Sequence, residues 1–465
     1  LKQLDPHTTY IPAKDMQGVS EEMSGNFGGI GVQFSIQNDT VMVIDVISGG
    51  PSQKLGIRAG DRIVRVGDSA MVGKNVKNEL VFKRLRGPKG TKVNVSIWRK
   101  GLPDLLNFNI TRGDIPIYSV DVSYMIDNKT GYVKIGRFAE HTYDEFMGAM
   151  AKLESGGAEQ VIIDLRGNPG GYLSSVIRMV SELLDKGELI VYTAGRTQPK
   201  RESDAENRGK FFGKRVVILV DEYSASASEI FAGAVQDNDR GTIIGRRTFG
   251  KGLVQEQIPF YDGSAIRLTV ARYYTPSGRC IQKSYKKGTD DYYADLTRRF
   301  VHGEMEQKDS IHMADTAKYF TRLKRVVYGG GGIMPDIFVP ADTSGNSAYL
   351  FKIMQKGLVY QYAFDYADKH RAELSKLKTG AEFSDLLRKR AIFGEFLQYA
   401  VKNGVANNET GIKASGKIIE TQLMAYIARN IIGEEGFYSI ISNIDNTLQD
   451  AIKTINSKDK MVSVK

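Results

Sequence analysis

Three short segments carry groups that together could perform acyl transfer: Ser224-Ala225-Ser226-Ala227-Ser228-Glu229, Phe249-Gly250-Lys251-Gly252 and Arg166-Gly167-Asn168-Pro169-Gly170-Gly171. They supply a hydroxyl nucleophile, a lysine that could take its proton, and a glycine turn whose amides could hold a developing oxyanion. This chemistry does not call on histidine. The five histidines, His7, His141, His302, His312 and His370, fall in none of these segments.

The run Val216–Val220 reads as a buried strand and Ala225–Gln236 as a helix, so Ser226 sits where strand hands over to helix and unsatisfied backbone N–H groups point outward. There its hydroxyl could meet a carbonyl while the Ala227 N–H faces the oxygen that becomes negative. Helix capping by Ser224, Ser226 or Ser228 is the competing reading of the same serines. Lys251 can act as a base only if burial lowers its pKa, because desolvation penalises the ammonium. Gly250 and Gly252 let its backbone approach another element closely. Gln255 follows four residues later, an even separation that on a strand puts both side chains on one face, where its amide oxygen could hold the lysine nitrogen.

Asp237 lies eleven residues beyond Ser226, about three helical turns on, near a helix C-terminus that disfavours a carboxylate without a partner. It could orient the site or pin the fold. Gly170 and Gly171 end a strand-to-helix turn and are the candidate second oxyanion donors. No Gly-Lys-Ser/Thr and no Gly-x-Gly-x-x-Gly accompanies that turn, so a nucleotide phosphate cradle finds little support.

These groups must be positioned by a chain of 465 residues, 41% hydrophobic and 25% charged, enough for several domains. The net charge of +10 is dispersed, which argues against a nucleic-acid partner. Cys280 is the single cysteine, so no intrachain disulfide and no paired-cysteine zinc site is expected, and no metal or cofactor is called for. No apolar run reaches the roughly 18–20 residues of a membrane span. The chain is expected to be soluble, and its start at Leu1, mid-pattern, suggests an upstream segment that carried any export signal or anchor.

Residues 1–24 read as the end of a helical region. Residues 25–113 form a β-rich module, with strand patterns at Ile30–Ile36, Val41–Val46, Arg62–Val66 and Lys92–Trp98 and a helix at Asn75–Leu85. Strands and helices then alternate over 114–346, an α/β core, with 283–328 read as a surface insertion. Residues 347–465 carry helical stripes such as Ile419, Leu423, Ile427, Ile431 and Ile440, Ile444, Leu448, Ile452, expected to serve packing or subunit contact.

Within the β-rich module, Gly29-Ile30-Gly31-Val32 and the later Gly56-Ile57-Arg58-Ala59-Gly60-Asp61-Arg62-Ile63 resemble a PDZ domain. In that family such a loop presents backbone N–H groups to a peptide's terminal carboxylate while the peptide adds a strand to the sheet. With Leu4-Asp5-Pro6-His7, Asp164–Gly171, Ser224–Asp237, Phe249–Gln255, Tyr274–Arg279 and Gly332–Asp336 in this order, the chain over roughly 1–345 resembles a carboxy-terminal processing peptidase of the bacterial Tsp/Ctp group.

The resemblance implies a multidomain α+β protein: a PDZ module, a protease core like the crotonase and Clp folds, and an α-helical C-terminal domain. It implies Ser226 as nucleophile, Lys251 as general base 25 residues later, Gln255 as its positioner, Asp237 at a position linked to activity, and Ala227 with Gly170 or Gly171 as oxyanion hole. Substrates would be proteins with free C-termini, bound by Gly29, Ile30, Gly31 and Val32. The setting would be the periplasm or cell envelope, and homo-oligomers could form through the N- or C-terminal helical regions. Two other classes compete: a catalytically silent PDZ scaffold that binds C-termini, and a crotonase-type acyl-CoA enzyme, which would explain neither the PDZ module nor Ser226 with Lys251.

Overall fold

The computed structural model describes residues 4–37, 39–47, 49–311 and 317–457; His312 lies outside them. The chain forms two compact units, one of residues 1–24, 118–343 and 445–465, the other of 25–117 and 344–444.

The first unit is built on a six-stranded sheet in the order Val120–Met125, Thr130–Ile135, Gln160–Asp164, Arg215–Val220, Thr242–Gly245, Ile337–Phe338. Its first pair is antiparallel and the rest are parallel. Strands buried on both faces need unbroken apolar runs, and Val216–Val220 is buried at every position. Ile163, Ile218, Val220, Phe231 and Ile243 form part of the core between this sheet and the helices Thr142–Ser155, Leu173–Ser181 and Ala227–Asp237. A second sheet is organised by the long strand Ala265–Tyr274. One edge of it takes Leu253–Pro259, and the other takes Thr9–Ile11 at one end and Leu189–Ala194 at the opposite end.

The residues 4–24 therefore belong with the α/β core, through the strand Thr9–Ile11, and are not simply a helix end. The C-terminal stripe also divides. Ile419, Leu423, Ile427 and Ile440 pack with the other C-terminal helices. The helical span Glu409–Ile441, kinked at Ile432–Gly433, then gives way to a 3-10 turn, and the last helix, Asn446–Asn456, packs against the core strands Arg215–Val220 and Gln160–Asp164. The break at 442–445 resets the helical phase, which the even spacing of the isoleucines does not reveal.

In the second unit, the strands Val32–Gln37, Thr40–Val46, Arg62–Val66, Lys92–Trp98 and Leu106–Thr111 form one antiparallel sheet with Val32–Gln37 at its edge. The helix Asn78–Leu85 faces that edge, with the Phe34 and Phe82 rings 5.1 Å apart. No helix among the described residues is long and apolar enough to cross a membrane.

Candidate active site

The strand Arg215–Val220 ends in a tight turn whose three serines have different surroundings. Ser224 Oγ donates to Leu165 O at 2.8 Å and Ser228 Oγ to Asn168 O at 2.9 Å, so both are tied to the neighbouring strand end. Ser226, between them, is bound to neither and is only partly buried. It occupies the N-cap position of Ala227–Asp237 with φ 56° and ψ −113°, a left-handed backbone that a residue with a Cβ adopts at a cost. The turn lifts its side chain out of the run that the other two serines anchor.

The glycine turn lies directly against it. A Cβ added at Gly170 would come within 2.8 Å of Ser226 Cβ and 2.9 Å of Ala227 N, and Gly170 has φ +102°, so only glycine fits. Asn168, fully buried, shapes this approach: its Oδ1 accepts the Gly170 N–H at 2.9 Å, its Nδ2 donates to Ile135 O, and its own carbonyl accepts from Ala225 N. The Gly170 amide is thus consumed. Among the described residues the Gly171 and Ala227 N–H groups have no hydrogen-bond partner, which makes them the pair free to face an oxyanion.

Lys251 is brought to the serine turn by Glu229. The Glu229 carboxylate accepts from Ser226 N at 2.9 Å, Lys251 N at 2.7 Å, Gly250 N at 2.7 Å and Thr248 Oγ1 at 2.5 Å. Burial pushes its pKa up against these four bonds. Phe249 N donates to Ser224 O at 3.0 Å, a second tie between the two segments. Burial lowers the Lys251 pKa, helped by the Arg267 guanidinium and opposed by Glu229 and Asp5. Its ammonium makes no hydrogen bond or ion pair among the described residues.

Gln255 does not hold that ammonium. Lys251 precedes the strand Leu253–Pro259, whose register shifts between Val254 and Gln255, so the even-spacing argument fails at a bulge. Gln255 Nε2 donates instead to His7 O at 2.7 Å. Asp237 is likewise remote from the serine, at the far end of its helix. It is fully buried against Arg279, with Oδ1 2.8 Å from Nη2, and accepts Ser277 N at 3.1 Å. These bonds fasten it to the 274–279 turn.

The residues 283–328 are more than a surface insertion. Their helix Thr289–Val301 buries Tyr292 and Arg299, and the Arg299 guanidinium donates to Thr248 O and Arg247 O while sharing Glu304 with Arg247. The helix Thr289–Val301 and Glu304 form a wall behind the lysine loop. The sequence reading passed over Glu229 and His7. The Ser-x-x-Glu spacing of a capping box was visible at 226–229, whereas His7 is joined to the site only by folding.

In the second unit, the PDZ-like loop has Gly31 at φ +77° and Ile30 buried. Ile47 N donates to Gly31 O and Ser52 N to Ile30 O, which holds the loop, while the Ile30 and Gly31 N–H groups have no partner among the described residues. Gly29 closes a strand paired with Gly113, and Val32 opens the edge strand.

Residues 129–292 match peptidase family S41, residues 28–110 match the PDZ domain, and residues 349–433 match a family of unknown function, DUF8443. The chain is similar to a carboxy-terminal-processing protease of Bartonella bacilliformis, 38% identical over 61% of this chain and 65% of that protein. It is similar also to the carboxy-terminal processing protease CtpA of Bacillus subtilis, 37% identical over 60% of this chain and 59% of that one. Among solved structures, the photosystem II D1 C-terminal processing protease is 31% identical over 60% of this chain and 75% of that chain, with a TM-score of 0.35. The chain spans about three fifths of the length of the two curated relatives. With a serine turn, a lysine loop and a PDZ module in this order, the chain carries a peptidase family S41 domain and a PDZ domain and is similar to carboxy-terminal processing proteases.

Proposed function

We propose that this chain is a serine endopeptidase that cleaves proteins near their C-termini, with Ser226 as nucleophile and Lys251 as general base. The observation that carries this reading is the Glu229 carboxylate, which fastens the backbones of both residues to one buried anchor. Neutral Lys251 Nζ takes the Ser226 Oγ proton as the oxygen attacks the scissile carbonyl. The Ala227 and Gly171 N–H groups receive the oxyanion, the lysine returns the proton to the leaving amine, and water then releases the acyl group from Ser226. Hydrogen bonds of a catalytic pair often tighten only when substrate arrives, which fits a lysine held near the serine turn by its main chain.

The PDZ module recognises the substrate's free carboxylate at the Ile30 and Gly31 amides, and the peptide pairs with the edge strand Val32–Gln37. The bacterial periplasm or cell envelope is the setting that belongs to this reading. Mass spectrometry of the digestion of a disordered protein, with free and with amidated C-terminus, tests it directly. Wild type should cut the free form faster and Ser226→Ala or Lys251→Ala should cut neither. Cleavage by a folded Ser226→Ala variant would remove the nucleophile assignment, and equal cutting of both substrate forms would remove carboxylate capture.

A further inference from the structure

We infer that the N-terminal turn Asp5–Thr8, and His7 in particular, is a positioning element for Lys251 that braces the lysine loop and limits the access of water to it. This rests on Lys251 being the base proposed above.

The turn is held internally before it touches anything else. Asp5 Oδ1 accepts from His7 N at 2.8 Å and from Thr8 N at 2.9 Å, its Oδ2 accepts from the Thr8 hydroxyl, and both Asp5 and Thr8 are buried. The adjacent strand Thr9–Ile11, zipped to Ala265–Arg267, fixes where the turn lands. Three contacts then reach the lysine loop's own supports. His7 O receives Gln255 Nε2 at 2.7 Å, His7 Nε2 lies 2.9 Å from Tyr292 Oη, and Tyr293 Oη donates to Pro6 O at 2.8 Å.

Tyr292 is buried and packs edge-on against both His7 and Phe249, two residues before Lys251. The residue that the sequence assigned to the lysine is therefore bonded to the N-terminal turn, and the turn reaches the lysine loop through Gln255 and through Tyr292 packed on Phe249.

The electrostatics agree with this geometry. Burial, then the positive charges of Lys251 and Lys283 against the attraction of Asp5, hold the His7 pKa down at about 4, so the ring is neutral at physiological pH. The charged groups around Lys251 itself are Arg267, Glu229 and Asp5. A neutral imidazole adds no repulsion, and desolvation is the largest influence lowering the Lys251 pKa.

The test reads the lysine directly, in a Ser226→Ala background where turnover plays no part. The pH profile of Lys251 acetylation by trace acetic anhydride, followed by peptide mass spectrometry, gives the midpoint of its titration. His7→Ala should move that midpoint to higher pH, lowering the neutral fraction at pH 7 about tenfold for each pKa unit, and His7→Gln, neutral and able to bond Tyr292, should restore it. Tyr292→Phe should move it the same way by less, and serves if His7→Ala does not fold. In the Ser226 enzyme the rising limb of kcat/KM should shift by the same amount. An unchanged acetylation midpoint in folded His7→Ala and Tyr292→Phe would overturn the inference. Loss of the Lys251 role in proteolysis would show separately, as activity in Lys251→Ala.

Discussion

The backbone N–H groups of Ser226 and Lys251 meet on a single oxygen, Oε2 of Glu229, at 2.9 and 2.7 Å. One buried carboxylate thereby sets the distance between two loops 25 residues apart in sequence. Glu229→Gln would place an amide NH₂ where donors already converge, leaving at least one of them unpaired. Hydrogen bonds to a charged group contribute roughly 1.5–3 kcal/mol each, so the variant should lose activity by about tenfold to a hundredfold and melt at lower temperature. Peptide kinetics at a temperature where the variant is fully folded decide it. Activity equal to wild type there would mean the carboxylate only stabilises the fold.

Gly170 tests the second wall. Alanine there must adopt a left-handed φ, about 1–2 kcal/mol unfavourable, and its methyl would press on Ser226 Cβ and Ala227 N. The serine turn has to yield, since two of the three opposing atoms, Ala225 O and Ala227 N, are main chain. Displacement of a reacting group by about 1 Å can cost about a hundredfold in rate, so Gly170→Ala should lose kcat far more than stability. A paired measurement of kcat and melting temperature checks this, and a variant with wild-type kcat would show that the glycine serves only the turn.

Asp237 should behave as a structural residue. With both side chains fully buried, removing it leaves the Arg279 guanidinium charged and partly unpaired, a change that typically costs about 3–5 kcal/mol. Asp237→Ala is therefore expected to unfold at markedly lower denaturant concentration and to be inactive only in proportion to its unfolded fraction. A fully folded, fully inactive variant would return Asp237 to the catalytic machinery.

Much of the site was legible because its chemistry is local. Ser226, Ala227 and the glycine turn follow from strand-to-helix transitions that apolar runs and glycines mark in sequence, and the strands Gln160–Asp164 and Arg215–Val220 fall where their unbroken apolar stretches end. What escaped depends on tertiary register. A bulge between Val254 and Gln255 breaks the two-residue alternation and turns Gln255 toward His7. Asp237 meets Arg279 through a pairing of segments 42 residues apart, and no period within either segment announces it. The 283–328 segment looked like surface because it is polar, yet its Arg299 is buried and donates to the main-chain carbonyls of Arg247 and Thr248, just ahead of the lysine loop.

The docking of the N-terminal turn should weaken in mild acid. The folded His7 pKa of about 4 lies below the ordinary value near 6.5, so a released turn binds a proton more readily than a docked one between these pH values. The stabilisation from His7 is therefore complete above about pH 6.5 and is lost progressively as the pH falls toward 4. Burial alone would raise the Asp5 pKa, but its bonds from Thr8 and His7 hold it below the ordinary range, so Asp5 stays ionised over most of that window and does not offset the loss. Hydrogen exchange at Tyr10 and Ile11, which pair with Ile266 and Ala265, should speed up relative to Ile218 in the central sheet between pH 7 and pH 5, after correction for intrinsic rates. His7→Gln removes the titrating ring, and its exchange ratio should stay flat across the same range. An equal acid response in both proteins would place the proton-sensitive group elsewhere.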